Sequence, residues 1–426
     1  MREMKDSRIE WVGAIPQNWQ LSKIGSLYTQ RNEKVSDKDY QPLSVTMQGI
    51  LPQLATAAKT DDGDNRKLVR VGDFAINSRS DRRGSCGISP LDGSVSLINI
   101  ILTPRTAMHP GYYNWLFHTT LFADEFYKWG HGIVADLWTT RWQEMKSITV
   151  PVPEYAEQER IAAFLNAECA EIDAVLEKTR ASIEEYKKLK QAVITQAVTK
   201  GIRGDRPMKD SGIEWIGDIP ESWEVSSVRY IGQLQNGISK GGEFFGKGFP
   251  FVSYGDVYKN YELPHSVSGL IDTTEDERAT YSVEYGDIFF TRTSETIEEV
   301  GFSCVCKRSI PNATFAGFII RLRPFCADEK ILTDYAKYYF RGEHIRAYLV
   351  KEMNLVTRAS LGQTLLKGMS VIVPPKSVQK EIAEYLDDKC ADIDALVAKK
   401  QQYLTEIENY KKSLIYEYVT GKKEVV

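Results

Sequence analysis

The chain has 426 residues, 42% of them hydrophobic and 26% charged, with a formal net charge of −4 and a pI near 5.9. Such a length predicts two to three domains, each with a sizeable core, and the composition is that of a globular protein. The acidic balance excludes a wholly basic nucleic-acid binder, and the longest apolar runs, such as SLINIIL (96–102), are too short to span a bilayer.

At the start, MREMKDSRIEW is charged where the apolar core of a signal peptide would stand. The six cysteines, at 86, 169, 304, 306, 326 and 390, show no paired CxxC spacing, so reduced thiols in a cytoplasmic protein are expected. Residues 4–19 read MKDSRIEWVGAIPQNW, in which Trp11 and Trp19 are expected to pack against the base of a helix. Next comes a long irregular region, 20–149. Its runs KLVRVGDFAINSR (67–79) and its like, β-branched and broken by Gly and Asp, predict strands. The stretch 111–129 predicts short helices.

Residues 155–200 contain neither Pro nor Gly, and follow the helix-entry punctuation of Pro153. Leu165, Ile172, Tyr186 and Val193 fall on a seven-residue spacing, and Cys169, Leu176, Ile183 and Ala197 sit four residues after members of it. Two interleaved heptad series predict a coiled-coil helix. It should be about 65–70 Å long at 1.5 Å per residue.

The pattern then begins again. Residues 208–223, MKDSGIEWIGDIPESW, match 4–19 at eleven of sixteen positions. A second irregular region, 224–370, contains the strand-like YSVEYGDIFFTRT (281–293) and a helical stretch at 332–350. Residues 371–420 match 150–199 at eighteen of fifty positions without a gap, and repeat the seam with Leu386, Ile393, Val397, Leu404 and Leu414. The chain is a tandem duplication. The expected fold is α+β, with a pseudo-two-fold internal duplication. Two mixed α/β domains, 1–150 and 204–370, are expected to be joined by long helices in 151–203 and 371–426, each the partner of its own copy.

Candidate chemistry is sparse. GGEFFGKG (241–248) lacks the Ser or Thr that a phosphate loop needs after its Lys, and reads as a turn-rich loop before a strand. The five histidines form no metal spacing, and Glu185-Tyr186-Lys187 lies on the long helix as ordinary surface charge. Two corresponding Gly-Asp-apolar strands, Gly72-Asp73-Phe74 and Gly286-Asp287-Ile288, each feed an Arg-bearing loop. Arg79, Arg82 and Arg83 have guanidinium forks suited to guanine edges or phosphates, and Asn77 has the amide for adenine. Thr291, Arg292 and Thr293 are the candidates of the second loop. Opposite charges nearly balance within each irregular region, so any phosphate-binding face has an acidic counterpart.

The IEWxGxIPxxW segment, the VPxPxxxxQxxIAxxL entry, the CAxIDA run and the closing VT-G, all duplicated in order, resemble the specificity subunit of type I restriction-modification systems. The resemblance covers the whole chain. It implies that each irregular region is a DNA target recognition domain, that the two long helices pack antiparallel as a coiled-coil spacer between them, and that the subunit has no catalysis of its own. It also implies recruitment of two methyltransferase (modification) subunits, which bind S-adenosylmethionine, and two restriction subunits, which use ATP and Mg2+. No cofactor or metal is expected on this chain. The implied target is double-stranded DNA carrying two different half-sequences separated by a fixed gap. Two rivals are a coiled-coil scaffold whose domains bind proteins, and a stand-alone methyltransferase or nuclease. The absence of an N-P-P-Y/F or D-P-P-Y tetrapeptide counts against the enzyme.

Overall fold

The computed structural model describes residues 2–53, 62–132, 138–204, 206–294, 300–352 and 359–425. The elements used below, in chain order, begin with strands β1 (Tyr28–Arg31), β2 (Leu43–Thr46), β3 (Gly49–Pro52), β4 (Phe74–Asn77), β5 (Cys86–Ile88) and β6 (Asn99–Pro104). Helices α1 (Pro110–Phe117), α2 (Thr120–Lys128) and α3 (Tyr155–Lys200) follow. The second copy contributes β7 (Gly232–Asn236), β8 (Ile288–Thr291), β9 (Ser303–Val305) and β10 (Ile319–Pro324), then α4 (Thr333–Tyr339), α5 (Glu343–Glu352) and α6 (Lys376–Val419).

Sequences that align poorly build the same sheet. The first copy orders its strands β1-β6-β4-β5 and the second β7-β10-β8-β9, every pair antiparallel. The registers also correspond: Phe74 stands opposite Leu102, and Ile288 opposite Leu322. One face of each sheet is closed by the pair of short helices that follows it. Tyr28, Phe74, Tyr113, Phe117, Phe122 and Phe126 fill the first core, and Phe290, Tyr335, Tyr339, Phe340 and Ile345 the second.

Two compact units result, and they cut across the repeats. The first comprises Met1–Arg180 with Gln401–Val426, the second Ala181–Lys400. Each therefore contains its own copy's sheet, half of the helix that follows it and half of the other long helix. In the first unit Lys411 pairs with Asp173 and Glu408 with Arg180. In the second Lys400 lies over the Tyr186 ring and Asp394 pairs with Lys190. Numbers rise along one helix as they fall along the other, so within each unit the pairing is antiparallel. Of the ten seam residues, Leu165, Leu176, Ile183, Leu386, Ile393 and Leu414 are buried, and Ile172, Val193, Val397 and Leu404 are half-buried.

The repeated motifs are fastenings, and each can be read off its bonds. Gln158 is buried; its amide nitrogen donates to the Pro153 carbonyl (2.8 Å), and its oxygen accepts from the His109 N–H (2.9 Å) at the mouth of α1. Gln379 donates to Pro374 (2.8 Å) and Lys330 (2.9 Å) and accepts from Leu332 (2.7 Å) at the mouth of α4. A buried amide whose nitrogen and oxygen are both bonded is cheap to keep and costly to lose. The Tyr112 hydroxyl donates to the Val419 carbonyl (2.8 Å), and Tyr335 to Val198 (3.1 Å).

The VT-G ending is a helix stop. Gly201 (φ +82°) and Gly421 (φ +72°) adopt the left-handed conformation that ends a helix without a Cβ penalty. A Cβ on Gly421 would meet Pro16 at 2.5 Å and Trp19 at 3.0 Å, and one on Gly201 would meet Trp223 at 3.4 Å. Each Trp/Pro segment thus docks on the C-terminal end of a long helix. Trp11, Trp19 and Trp223 are buried and Trp215 half-buried, as packing residues are. Trp19 also reaches a helix beginning: its indole N–H donates to Glu157 (2.9 Å). The 241–248 stretch forms a turn of 3-10 helix, Gly242–Phe244, leading into strand Phe245–Val252.

Candidate nucleic-acid interface

The Gly-Asp turns set the loops that follow β4 and β8. Asp73 is buried and receives the Arg31 Nε (2.8 Å) and the Thr103 hydroxyl (2.8 Å). Asp287, 0% exposed, receives both arms of Arg323 at 2.7 Å and the Glu284 N–H at 2.8 Å. Burial pushes the Asp287 carboxyl above its ordinary range, against the pull of Arg323. For Arg323 burial acts downward, but the bonds to Asp287 and to the more exposed Glu284 outweigh it and raise its pKa. Of the two partners, the carboxylate is the one that burial works against.

In the first unit the loop 77–85 closes on itself: the Asn77 N–H donates to the Ser85 carbonyl (2.9 Å) and Ser85 N–H to Arg82 (3.0 Å). The Tyr127 hydroxyl fixes it from below through the Asn77 carbonyl (2.8 Å). The Asn77 amide oxygen accepts from the Arg79 N–H (3.1 Å). That side chain is half-buried and shapes the turn, where the sequence suggested an outward-facing adenine contact. Arg79 pairs with Asp81 (3.1 Å), and Asp81 also lies 4.0 Å from Arg82. Arg83 pairs with Asp124 on α2. Arg82 is the most outward of the three, its side chain 69% exposed.

The second loop divides differently. Thr291 is fully buried, and its hydroxyl accepts from the Phe302 N–H (2.9 Å). This corrects its place among the base-reading candidates: a strand-end Thr turned inward caps a backbone donor and does not reach the surface. Arg292 is half-buried with its backbone tied to Phe318 (2.9 Å) and Leu361 (2.7 Å). Thr293 is half-buried and joins a two-residue ladder with Ser360. Phe318 stands 63% exposed beside Arg292.

Sequence reasoning missed the β2–β3 hairpin of the first unit. Thr46 faces Gly49 across a two-residue tip, Met47-Gln48. The tip stands beside the arginine loop, with the Met47 methyl about 4.0 Å from where a Cβ on Gly84 would be. The signal was present: LSVT and GILP are alternating runs flanking two residues, with Gly after them.

Chemistry elsewhere is quiet. Among the described residues no group of His, Cys, Asp and Glu is arranged to hold a metal ion, and no helix is long and apolar enough to cross a membrane. All six cysteines are free thiols; five are buried, Cys304 and Cys306 fully, and Cys326 is exposed.

Two α+β units built on one sheet order thus carry arginine-bearing loops at equivalent strand ends. Residues 220–408 match the family described as the type I restriction modification DNA specificity domain. Across its length the chain is similar to the EcoKI specificity subunit of Escherichia coli K12, with 22% identity over 437 residues, covering 96% of this chain and 90% of that one. It is likewise similar to the StySPI specificity subunit of Salmonella potsdam, at 22% identity over 430 residues and the same shares. In fold it matches a chain solved in work on complex assembly and conformational transition of the type I R-M system, with a TM-score of 0.73, 14% identity and 96% and 99% coverage. The HsdS subunit from Thermoanaerobacter tengcongensis matches at 0.50, with 16% identity and 96% and 98% coverage. The chain is thus similar over nearly its whole length to type I restriction specificity subunits, and 220–408 matches their DNA specificity domain. None of these relatives favours the scaffold rival.

Proposed function

We propose that the chain is the non-catalytic, DNA-recognising subunit of a type I restriction-modification complex. The observation that carries this reading is the duplication itself, joined to the similarity above. One sheet-and-helix frame is built twice, and the loops at equivalent strand ends differ. Asn77-Ser78-Arg79 ends β4 where Thr291-Arg292-Thr293 ends β8. A frame kept constant under changing loops suits two readers of two different half-sequences in one asymmetric site.

Direct readout needs donors, acceptors and apolar atoms at base edges, and Arg82, Arg83 and Arg292 offer guanidinium forks for guanine or phosphate. Arg82 and Arg83 are held by carboxylates that a phosphate can replace. The chain's net charge of −4 leaves much of the counterion-releasing grip on DNA to partners. Those partners, on this reading, are two modification subunits carrying S-adenosylmethionine and two restriction subunits using ATP and Mg2+. Methylation of an adenine then requires the partner to flip the base while this chain holds register.

The test is selection from a randomised duplex library by the full chain assembled with its modification subunits. Two distinct half-sequences at one fixed spacing are expected; binding without sequence preference overturns the reading. Transfer of labelled methyl groups to DNA by the chain without partners would overturn its non-catalytic assignment.

A further inference from the structure

The most exposed large apolar side chain near the first arginine loop is Met47, at 71%, and Gln48 beside it is also exposed. Neither position is an accident of a loose loop. Beneath the hairpin, Leu43 and Ile50 are buried with Ala75 of β4 and Ile101 of β6, forming a small cluster of their own. At the tip, the Thr46 hydroxyl donates to the Gly49 carbonyl (2.9 Å) and accepts from the Gln48 N–H (3.1 Å). Gly49, at φ +104°, approaches β5 so closely that a Cβ on Gly87 would stand 2.9 Å from its Cα. Two glycines meeting in this way bring hairpin and sheet edge together without room for adjustment.

The tip therefore presents two side chains from a fixed backbone, beside Gly84 at the end of the loop that carries Arg82 and Arg83. Among the described residues the Gln48 side-chain amide makes no hydrogen bond within the chain. A two-stranded ribbon of this width enters the major groove. There a Gln amide offers the donor and acceptor that match adenine N7 and N6, and an apolar group meets the thymine methyl. Methionine, unbranched and polarizable, suits such a contact.

We propose that Met47-Gln48 is a specificity determinant, reading one A·T base pair in the half-sequence recognised by the first unit. This inference rests on the DNA-recognition reading above and sharpens it. Among the described residues of the second unit the corresponding β-ribbon is strand Phe245–Val252 paired with Gly269–Ile271, carrying Gly246-Lys247-Gly248. The two readers thus differ in the element beside their loops as well as in the loops themselves.

The experiment uses the full chain assembled with its modification subunits and a randomised duplex library, comparing wild type with Gln48→Ala, Gln48→Glu and Met47→Ala. Gln48→Ala is expected to lose about 5- to 100-fold of discrimination at one A·T pair. Gln48→Glu should move preference at that pair toward C·G, since a carboxylate accepts from cytosine N4. Met47→Ala should weaken the same pair or its neighbour, and the other half-sequence should stay unchanged throughout. If wild type selects two half-sequences and all three variants select the same ones with equal discrimination, the proposal is overturned and the DNA-recognition reading stands. If wild type selects nothing, that reading fails and this one falls with it. Exposed tip residues leave folding intact, and Gln48→Glu tests the chemistry even where Gln48→Ala only weakens binding.

Discussion

The two units solve one structural problem with different residues. In the first, the buried Asp73 of the Gly-Asp turn is held by Arg31 from the outer strand β1, with Thr103 of β6 beside it. In the second, position for position, the Thr is replaced by Arg323 on the inner strand β10, and the outer strand carries Gln235 where Arg31 stood. The carboxylate stays and the cation changes strand. What the frame preserves is therefore a buried charge with a partner, whichever strand supplies it, and sequence comparison residue by residue cannot see such an exchange.

The equivalence can be broken most severely by removing α6. Residues 1–206 alone lose the Val419 carbonyl that Tyr112 uses, and Gly421 under Trp19, but a second copy can supply Val198 and Gly201 in their place. The half-chain is expected to be a dimer with no folded monomer, as measured by light scattering; a stable folded monomer would show that the helix pairing is dispensable. Next in size are Asp73→Ala and Asp287→Ala. Each strands a partly buried arginine and should cost about 3–5 kcal/mol in urea unfolding. Costs differing by more than about 2 kcal/mol would mean that the two turns are not doing the same job.

A smaller effect is expected at the helix entries. Gln158→Ala and Gln379→Ala leave buried backbone groups unpaired, at about 1–3 kcal/mol per group. Gln379, with one more bond, should be the costlier by melting temperature. The indoles offer a subtler contrast. Trp19 donates to Glu157, whereas Trp223 has a buried N–H without a partner among the described residues, and residue 378, aligned with 157, is Val. Glu157→Ala should cost about 1–3 kcal/mol, bringing the first unit down to the condition in which the second already exists.

The smallest difference is one of pH. His344 is buried against the Tyr339 ring, and burial lowers its pKa to about 3 from 6.5. Unfolded chains take up a proton there below pH 6.5 and folded ones do not, so stability should fall as pH drops from 6.5 toward 3, by up to about 1.4 kcal/mol per unit. In the first copy this position is Leu121. His344→Leu should flatten that part of the profile; an unchanged slope would assign the acid sensitivity elsewhere.

The long helices and the duplication were legible because a Pro- and Gly-free run with heptad spacing has few alternatives. The strands after Gly72 and Gly286 were legible for the same kind of reason: β-branched runs between turn residues. Three things were not. The common sheet was hidden because its buried faces need only apolar character, which many residues supply. Thr291 reads as polar and hence exposed, and only tertiary context turns its hydroxyl inward onto Phe302. The Asn77 amide, for its part, serves its own turn. The β2–β3 hairpin tip was not legible because Met47 and Gln48 carry no charge to mark it.

Val12 accepts from Tyr416 (3.1 Å) and Lys422 (2.6 Å), so the opening segment already lies on the end of α6, just as 208–223 lies on the end of α3. Splicing the last residue to the first and cutting anew between Gly204 and Met208 should give a circular permutant with both units intact. A folded permutant would show that the order in which the two copies are written does not matter to the fold.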